Sequence, residues 1–189
     1  MADDADLLPA VIDVGSLTLR RPQLSDAEAI AAAIALSKLE LRPWMPWLRD
    51  HVADPGFQRD RFLEVEAQWG RPGGEAAYLI ERPEVAGIVG FCGIQHRHQP
   101  DTRQLGFWVR SDLTSRGHVT TAARALTAEA LRLPGVVRVE IHCDEANVRS
   151  AAVARRCGYR LDRLEPHAVE APGHTGTFMI WATTPGWAA

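Results

Sequence analysis

Two periodicities divide the chain. Ala76–Glu81, Val85–Ile94 and Thr102–Val109 are apolar runs bounded by Arg82-Pro83 and by Gln95–Asp101, the pattern of three successive antiparallel strands. Past residue 114 the period lengthens. Val119, Ala122, Ala123, Leu126, Ala130 and Leu133 recur at helical spacing, and Pro134-Gly135 stops that helix. Val136–Cys143 returns to alternation, with Val137, Val139, Ile141 and Cys143 on one face and Arg138, Glu140 and His142 on the other. Asn147–Cys157 reads as a short helix closed by Gly158, and a last pair of strands follows.

The first third is helical. Residues 1–12 are expected to be a flexible arm and Gly15–Arg20 the first strand. Ser25-Asp26-Ala27-Glu28 has the spacing of a capping box, opening a helix to about Leu36. Pro43 and Pro46 interrupt Glu40–Arg49, whose Trp44, Met45 and Trp47 keep it apolar, so these side chains either cover the core or wall a cleft. Asp54-Pro55 starts a second helix, reaching Trp69, and Gly70, Pro72, Gly73 and Gly74 form the loop after it. Strand runs followed by alternating helix and strand predict an α+β domain over residues 13–189. Its mixed, mostly antiparallel twisted sheet is flanked by helices on both faces.

Composition narrows the function classes. At 189 residues, 46% hydrophobic and 24% charged, the chain can bury a substantial core and is neither disordered nor fibrous. A net charge of −3, with both signs dispersed, is not the basic footprint of a nucleic-acid binder. No apolar run is long enough for a membrane span and the first residues lack signal-peptide character, so a cytoplasmic location is expected. Cys92, Cys143 and Cys157 read as buried free thiols. His96 and His98 alternate at a strand end without an obvious third ligand, and no metal site is expected.

Candidate chemistry sits between strand and helix. Thr114-Ser115-Arg116-Gly117-His118-Val119 lies directly after Leu105-Gly106-Phe107-Trp108-Val109 and opens the Ala-rich helix. A helix starting there aims its unpaired N–H groups and dipole at one spot, which suits a phosphate.

The run from Gly106-Phe107-Trp108-Val109 through Asp112 to Leu126, followed by Arg138 to Leu161 with its Asn147-x-x-Ser150 to Tyr159 segment, resembles the acetyl-CoA-binding core of the GNAT N-acetyltransferases. Leu41-Arg42-Pro43-Trp44-Met45-Pro46-Trp47-Leu48 is similar to a segment of the RimJ/RimL branch, so the resemblance covers nearly all of Leu17–Thr183. It implies acetyl transfer from acetyl-CoA, without a metal, to an amine. The acceptor would be the α-amino group of a protein or peptide N-terminus, or a peptide-like or aminoacyl small molecule. The protein would act as a monomer or homodimer, with no nucleic-acid or membrane partner. The alternatives are a degenerate acyl-CoA-binding module and a self-protection acetyltransferase acting on a toxin.

Residue roles follow from that resemblance. Phe107, Trp108 and Val109 would hold the pantetheine arm by backbone, and Ser115, Arg116, Gly117, His118, Val119 and Thr120 would cradle the pyrophosphate. Asn147 and Ser150 would bind the cofactor, and Ser150 would also protonate the leaving thiolate; read as residues alone, both are ordinary helix-start residues. Trp44, Met45, Trp47, Gln104 and His142 would face the acceptor. Of the family's phosphate turn only Gly117 is retained, with Thr114 and Val119 at its outer positions. Gln104 stands where many members carry a glutamate base, which favours α-amines, of pKa about 7.7–8.0, over lysine at about 10.4. Glu140 and His142 are either substitute bases or surface groups, and Tyr159 is structural.

Overall fold

The computed structural model describes residues 8–69, 71, 74–96 and 99–186. Among them one eight-stranded sheet carries the fold. Its strands are β1 (Val11–Asp13), β2 (Thr18–Arg20), β3 (Ala76–Glu81), β4 (Gly90–His96), β5 (Thr102–Val109), β6 (Arg138–Asp144), β7 (Arg160–Pro166) and β8 (Thr177–Thr183), in the order β1-β2-β3-β4-β5-β6-β8-β7. The helices are α1 (Ala27–Leu41), α2 (Pro55–Gln68), α3 (His118–Arg132) and α4 (Val148–Arg156).

Alternation along the central strands divides the core in two. Leu105 joins Cys92, Ile141 and the small-residue face of α3, where Ala122, Ala123, Leu126 and Ala130 are all 0% exposed. Trp108, with Leu79 and partly buried Phe91, faces Ile30, Ile34 and Phe62 of α1 and α2. Helices therefore cover both faces, and the mixed α+β sheet expected from the pattern is the one formed.

Every pairing is antiparallel except that of β5 with β6. Those two are paired only at Thr102 with Arg138, Arg103 with Val139 and Gln104 with Glu140. β5 then stays on β4 as far as Val109, while β6 follows β8 to Asp144. The remainder of the two strands splays, leaving a wedge with backbone edges on both sides.

Local departures from the expected elements have physical causes. The residues before Gly15 do not all behave as an arm: Gly15 takes a left-handed φ of 77°, so Val11–Asp13 folds back on Thr18–Arg20 as β1. Residues 1–7 of that expected arm lie outside the described residues. α1 does not start on the Ser25–Glu28 box, because the Asp26 carboxylate accepts from the Gln23 N–H at 2.7 Å and binds Arg20 through both oxygens. α2 begins as expected, with Asp54 accepting from the Phe57 N–H at 3.0 Å. β4 starts at Gly90 rather than Val85, since Gly87 turns the chain at φ 74° and Arg110 takes the Ala86 carbonyl at 2.9 Å. Val137 is 48% exposed, outside β6 and not on its inner face, and Val136 fills the core position. Gly70, Pro72, Gly73 and His98 lie outside the described residues, so the loop after α2 is described only in part, and of the alternating histidine pair only His96, at the end of β4, is described.

Candidate active site

The wedge between β5 and β6 opens into a cavity of about 730 Å³ on the α1–α2 side of the sheet. Gln104, Phe107 and Trp108 reach it from β5, His142 from β6, and Asn147 and Ser150 from the start of α4. Trp44, Met45 and Trp47 wall it from the loop after α1, with Trp47 still 47% exposed at the rim. Nine of the candidate cofactor, acceptor and catalytic residues thus share one space.

That wall is pinned by a segment carrying no sequence signal, the loop between β7 and β8. The Gly173 N–H donates to the Pro43 carbonyl at 2.9 Å, and His174 Nε2 lies 3.3 Å from the Trp44 carbonyl. A Cβ at Gly173 would fall 2.7 Å from the Pro43 oxygen, so only glycine permits the approach. The loop is anchored from below by Asp144, which accepts from the N–H groups of Ala146 and Thr175 at 2.9 and 2.7 Å and contacts His167 Nε2 at 3.0 Å. Burial alone would raise this carboxyl, but those bonds hold it at about 2. His167 in turn stacks on Phe178, 3.5 Å between ring centroids.

His142 and Phe178 also border a second, polar cavity of about 490 Å³ on the β6–β8–β7 side. There Glu140 is 6% exposed and accepts from Arg138 Nε at 2.7 Å, while His142 Nε2 lies 2.6 Å from its other oxygen. Burial works to raise the Glu140 carboxyl, yet the bonds to His142 and Arg138 keep it below the usual carboxylate range. Neither Glu140 nor His142 is a loose surface group.

Val109 and the Ser115–Thr120 turn lie outside the large cavity. Ser115 and Gly117 take left-handed φ values of 62° and 82°, and the first α3 bond runs from the Thr121 N–H to the Gly117 carbonyl at 3.0 Å. The turn therefore ends with several amides directed out of the helix. A Cβ at Gly117 would meet nothing within 4 Å, and Val119, only 8% exposed, leaves the mouth to backbone. The His118 ring is buried with Nε2 unbonded, and burial, with Arg82 and Arg116 nearby, pushes its pKa down.

The acetyltransferase (GNAT) domain model matches residues 16–160. This chain belongs to the GNAT acetyltransferase family. It is an acetyl-CoA-dependent N-acetyltransferase. No curated protein matches it. Among solved structures, the GNAT chain is similar to RimL, a ribosomal L7/L12 alpha-N-protein acetyltransferase in complex with coenzyme A, at 21% identity and TM-score 0.82, over 92% of this chain and 97% of that one. The ribosomal-protein-S5-alanine acetyltransferase from Vibrio fischeri follows at 15% and 0.83, over 96% and 100%. The microcin C7 self-immunity acetyltransferase MccE, in complex with acetyl-CoA and AMP, stands at 23% and 0.77, over 96% and 99%. At these identities the likeness is one of fold.

The residues of this GNAT domain fit acetyl-CoA. The splayed edge of β5 has the shape to take a pantetheine arm as an added strand, and the open mouth at Gly117 has room for a diphosphate. Asn147 Oδ1 is already used, accepting from the Ser150 N–H at 3.1 Å, so its side chain has the amide hydrogens to offer a ligand. Ser150 also adjoins Cys143, whose thiol burial pushes up to about 11 although the Ser150 side chain works against the rise. Tyr159 is 3% exposed and lies 2.6 Å from the Thr127 hydroxyl, and burial raises its phenol well above the ordinary range. It is a core residue. Cys92, Cys143 and Cys157 are buried free thiols, and no metal-binding cluster occurs among the described residues.

Proposed function

We propose that this acetyltransferase modifies an α-amino group, that of a protein or peptide N-terminus or of a peptide-like or aminoacyl small molecule, by direct attack in a ternary complex. The observation that carries this reading is the position of the wedge: the β5–β6 split leads into the one cavity shared by Trp44, Gln104, His142, Asn147 and Ser150.

Bound acetyl-CoA supplies an acyl group already activated as a thioester. The backbone of Phe107, Trp108 and Val109 holds the pantetheine arm, and the amides from Ser115 to Thr120 hold the pyrophosphate. Asn147 steadies the arm through its amide hydrogens. Ser150, at the first turn of α4, delivers a proton to the departing thiolate. Trp44, Met45 and Trp47 shield the acceptor from water, and Gln104 and His142 orient its nitrogen. Gln104 cannot take a proton from a strongly basic amine, which suits an acceptor already partly neutral near pH 7.

The test is a panel of short peptides and small amines incubated with acetyl-CoA and read by mass spectrometry. Peptides with a free α-amine gain one acetyl group. The same peptides with a blocked N-terminus and an internal lysine gain none; preferential labelling of the lysine would overturn the reading.

A further inference from the structure

On the cleft face of β4 and β5 the cross-strand ladder has an unusual order. Phe91 stands opposite Trp108, Gly93 opposite Gly106, and Gln95 opposite Gln104, and all six line the large cavity. Ala77 of β3, opposite Gly93, extends the small row, and Glu140 of β6, opposite Gln104, extends the polar one.

The two glycines are not equivalent. A Cβ at Gly93 would fall 3.0 Å from the Phe91 ring, which lies over it, whereas a Cβ at Gly106 would meet nothing within 4 Å. Gly106 also has no left-handed φ to explain its choice. It therefore marks a slot at the start of the wedge, with the Phe91 ring on one side, Trp108 behind and Gln104 in front.

The cavity that contains this slot carries more carboxylates than free cations among its described residues. Glu75, Asp144 and Glu170 line the same cavity, and Arg61, the arginine among its described lining residues, is held by Glu75 at 2.9 Å. Gln95 carries both a donor and an acceptor without charge, the match for a neutral amide, and the row it shares with Gln104 is uncharged on both strands.

Building on the α-amine reading, we infer that the Gly106 slot seats the first peptide unit of the acceptor, so that the substrate class is an amine whose neighbouring carboxyl is tied up as an amide. A free amino acid would bring its carboxylate against uncharged amides and the buried Glu140, and is rejected. The flat peptide group needs the bare backbone of Gly106, and a side chain there occupies its place.

The experiment compares alanine amide, a short alanine-initiated peptide and free alanine as acceptors for the unaltered protein and for Gly106→Ala and Gly106→Val. The amide and the peptide should exceed alanine by about 10⁴-fold in kcat/KM, the scale at which unmet polar demands discriminate. Gly106→Val should raise acceptor KM by about tenfold or more and Gly106→Ala by less, with acetyl-CoA KM unchanged in both and the melting temperature unchanged in Gly106→Ala, whose Cβ meets nothing. Equal use of alanine and alanine amide, or an unaltered acceptor KM in Gly106→Val, overturns the slot while leaving the α-amine reading standing. Transfer to none of the three by the unaltered protein overturns both.

Discussion

Gln104 and Glu140 are directly opposed on β5 and β6, the last partners before the strands separate. A second carboxylate in that row would sit beside one that is already ionised and only 6% exposed. Gln104→Glu is expected to lower the melting temperature at neutral pH, because two like charges at this spacing resist joint ionisation. The deficit shrinks as pH falls and one carboxyl takes up a proton. Melting curves across pH decide the matter, and a deficit independent of pH would refute the opposition of charges.

Ser150→Ala should reduce kcat by about 10²-fold and leave acetyl-CoA KM nearly unchanged, as expected for loss of a proton donor. The helix start survives, since its cap uses the Ser150 backbone N–H and not the hydroxyl. Asn147→Ala removes that cap and should cost about 1 kcal/mol of stability. Steady-state kinetics paired with urea unfolding separates the two effects.

Gly117→Trp should abolish the thermal shift produced by acetyl-CoA. The position faces open space, so the penalty to the unliganded fold is confined to its left-handed φ of 82°, on the order of 1–2 kcal/mol. Normal saturation of the variant by acetyl-CoA would refute the placement of the pyrophosphate.

Asp144 predicts an acid limb of stability. Its folded carboxyl titrates at about 2, below the ordinary value of about 3.9. A depressed folded pKa contributes stability that is complete above the unfolded value and lost as pH falls through the folded one. The loss therefore falls between about pH 4 and pH 2 and amounts to roughly 2 kcal/mol. Asp144→Asn should be less stable than the parent at neutral pH, with the gap closing over that window in urea titrations.

Much of this was readable from the chain because period and punctuation agree. β3 and β5 have the bounds their alternation sets, and Pro134-Gly135 and Gly158 end α3 and α4 where a helix cannot continue. Short elements carried too little signal: β1 has three residues, with only Ile12 buried, and the Ser25–Glu28 spacing was overridden by the ion pairs of Asp26. The contributors to the cleft that lie on β5, β6 and α4 were visible as a family pattern. The roof was not, because Gly173, His174 and Phe178 acquire their meaning only when the β7–β8 loop meets Pro43 and Trp44, contacts that no periodicity encodes. The Gly106 slot was equally hidden, since strand register alone puts it between two aromatic rings and two amides.

His174 meets Trp44 across 130 positions of chain, whereas the elements assigned to the thioester carrier all fall within one unbroken stretch from β5 to α4. The wall of the proposed acceptor cleft is thus stitched from remote parts of the polypeptide, and the stretch proposed to hold the carrier is not. Substitutions in the hairpin after β7 or in the tryptophan loop therefore alter the wall of the cleft without touching the stretch from β5 to α4.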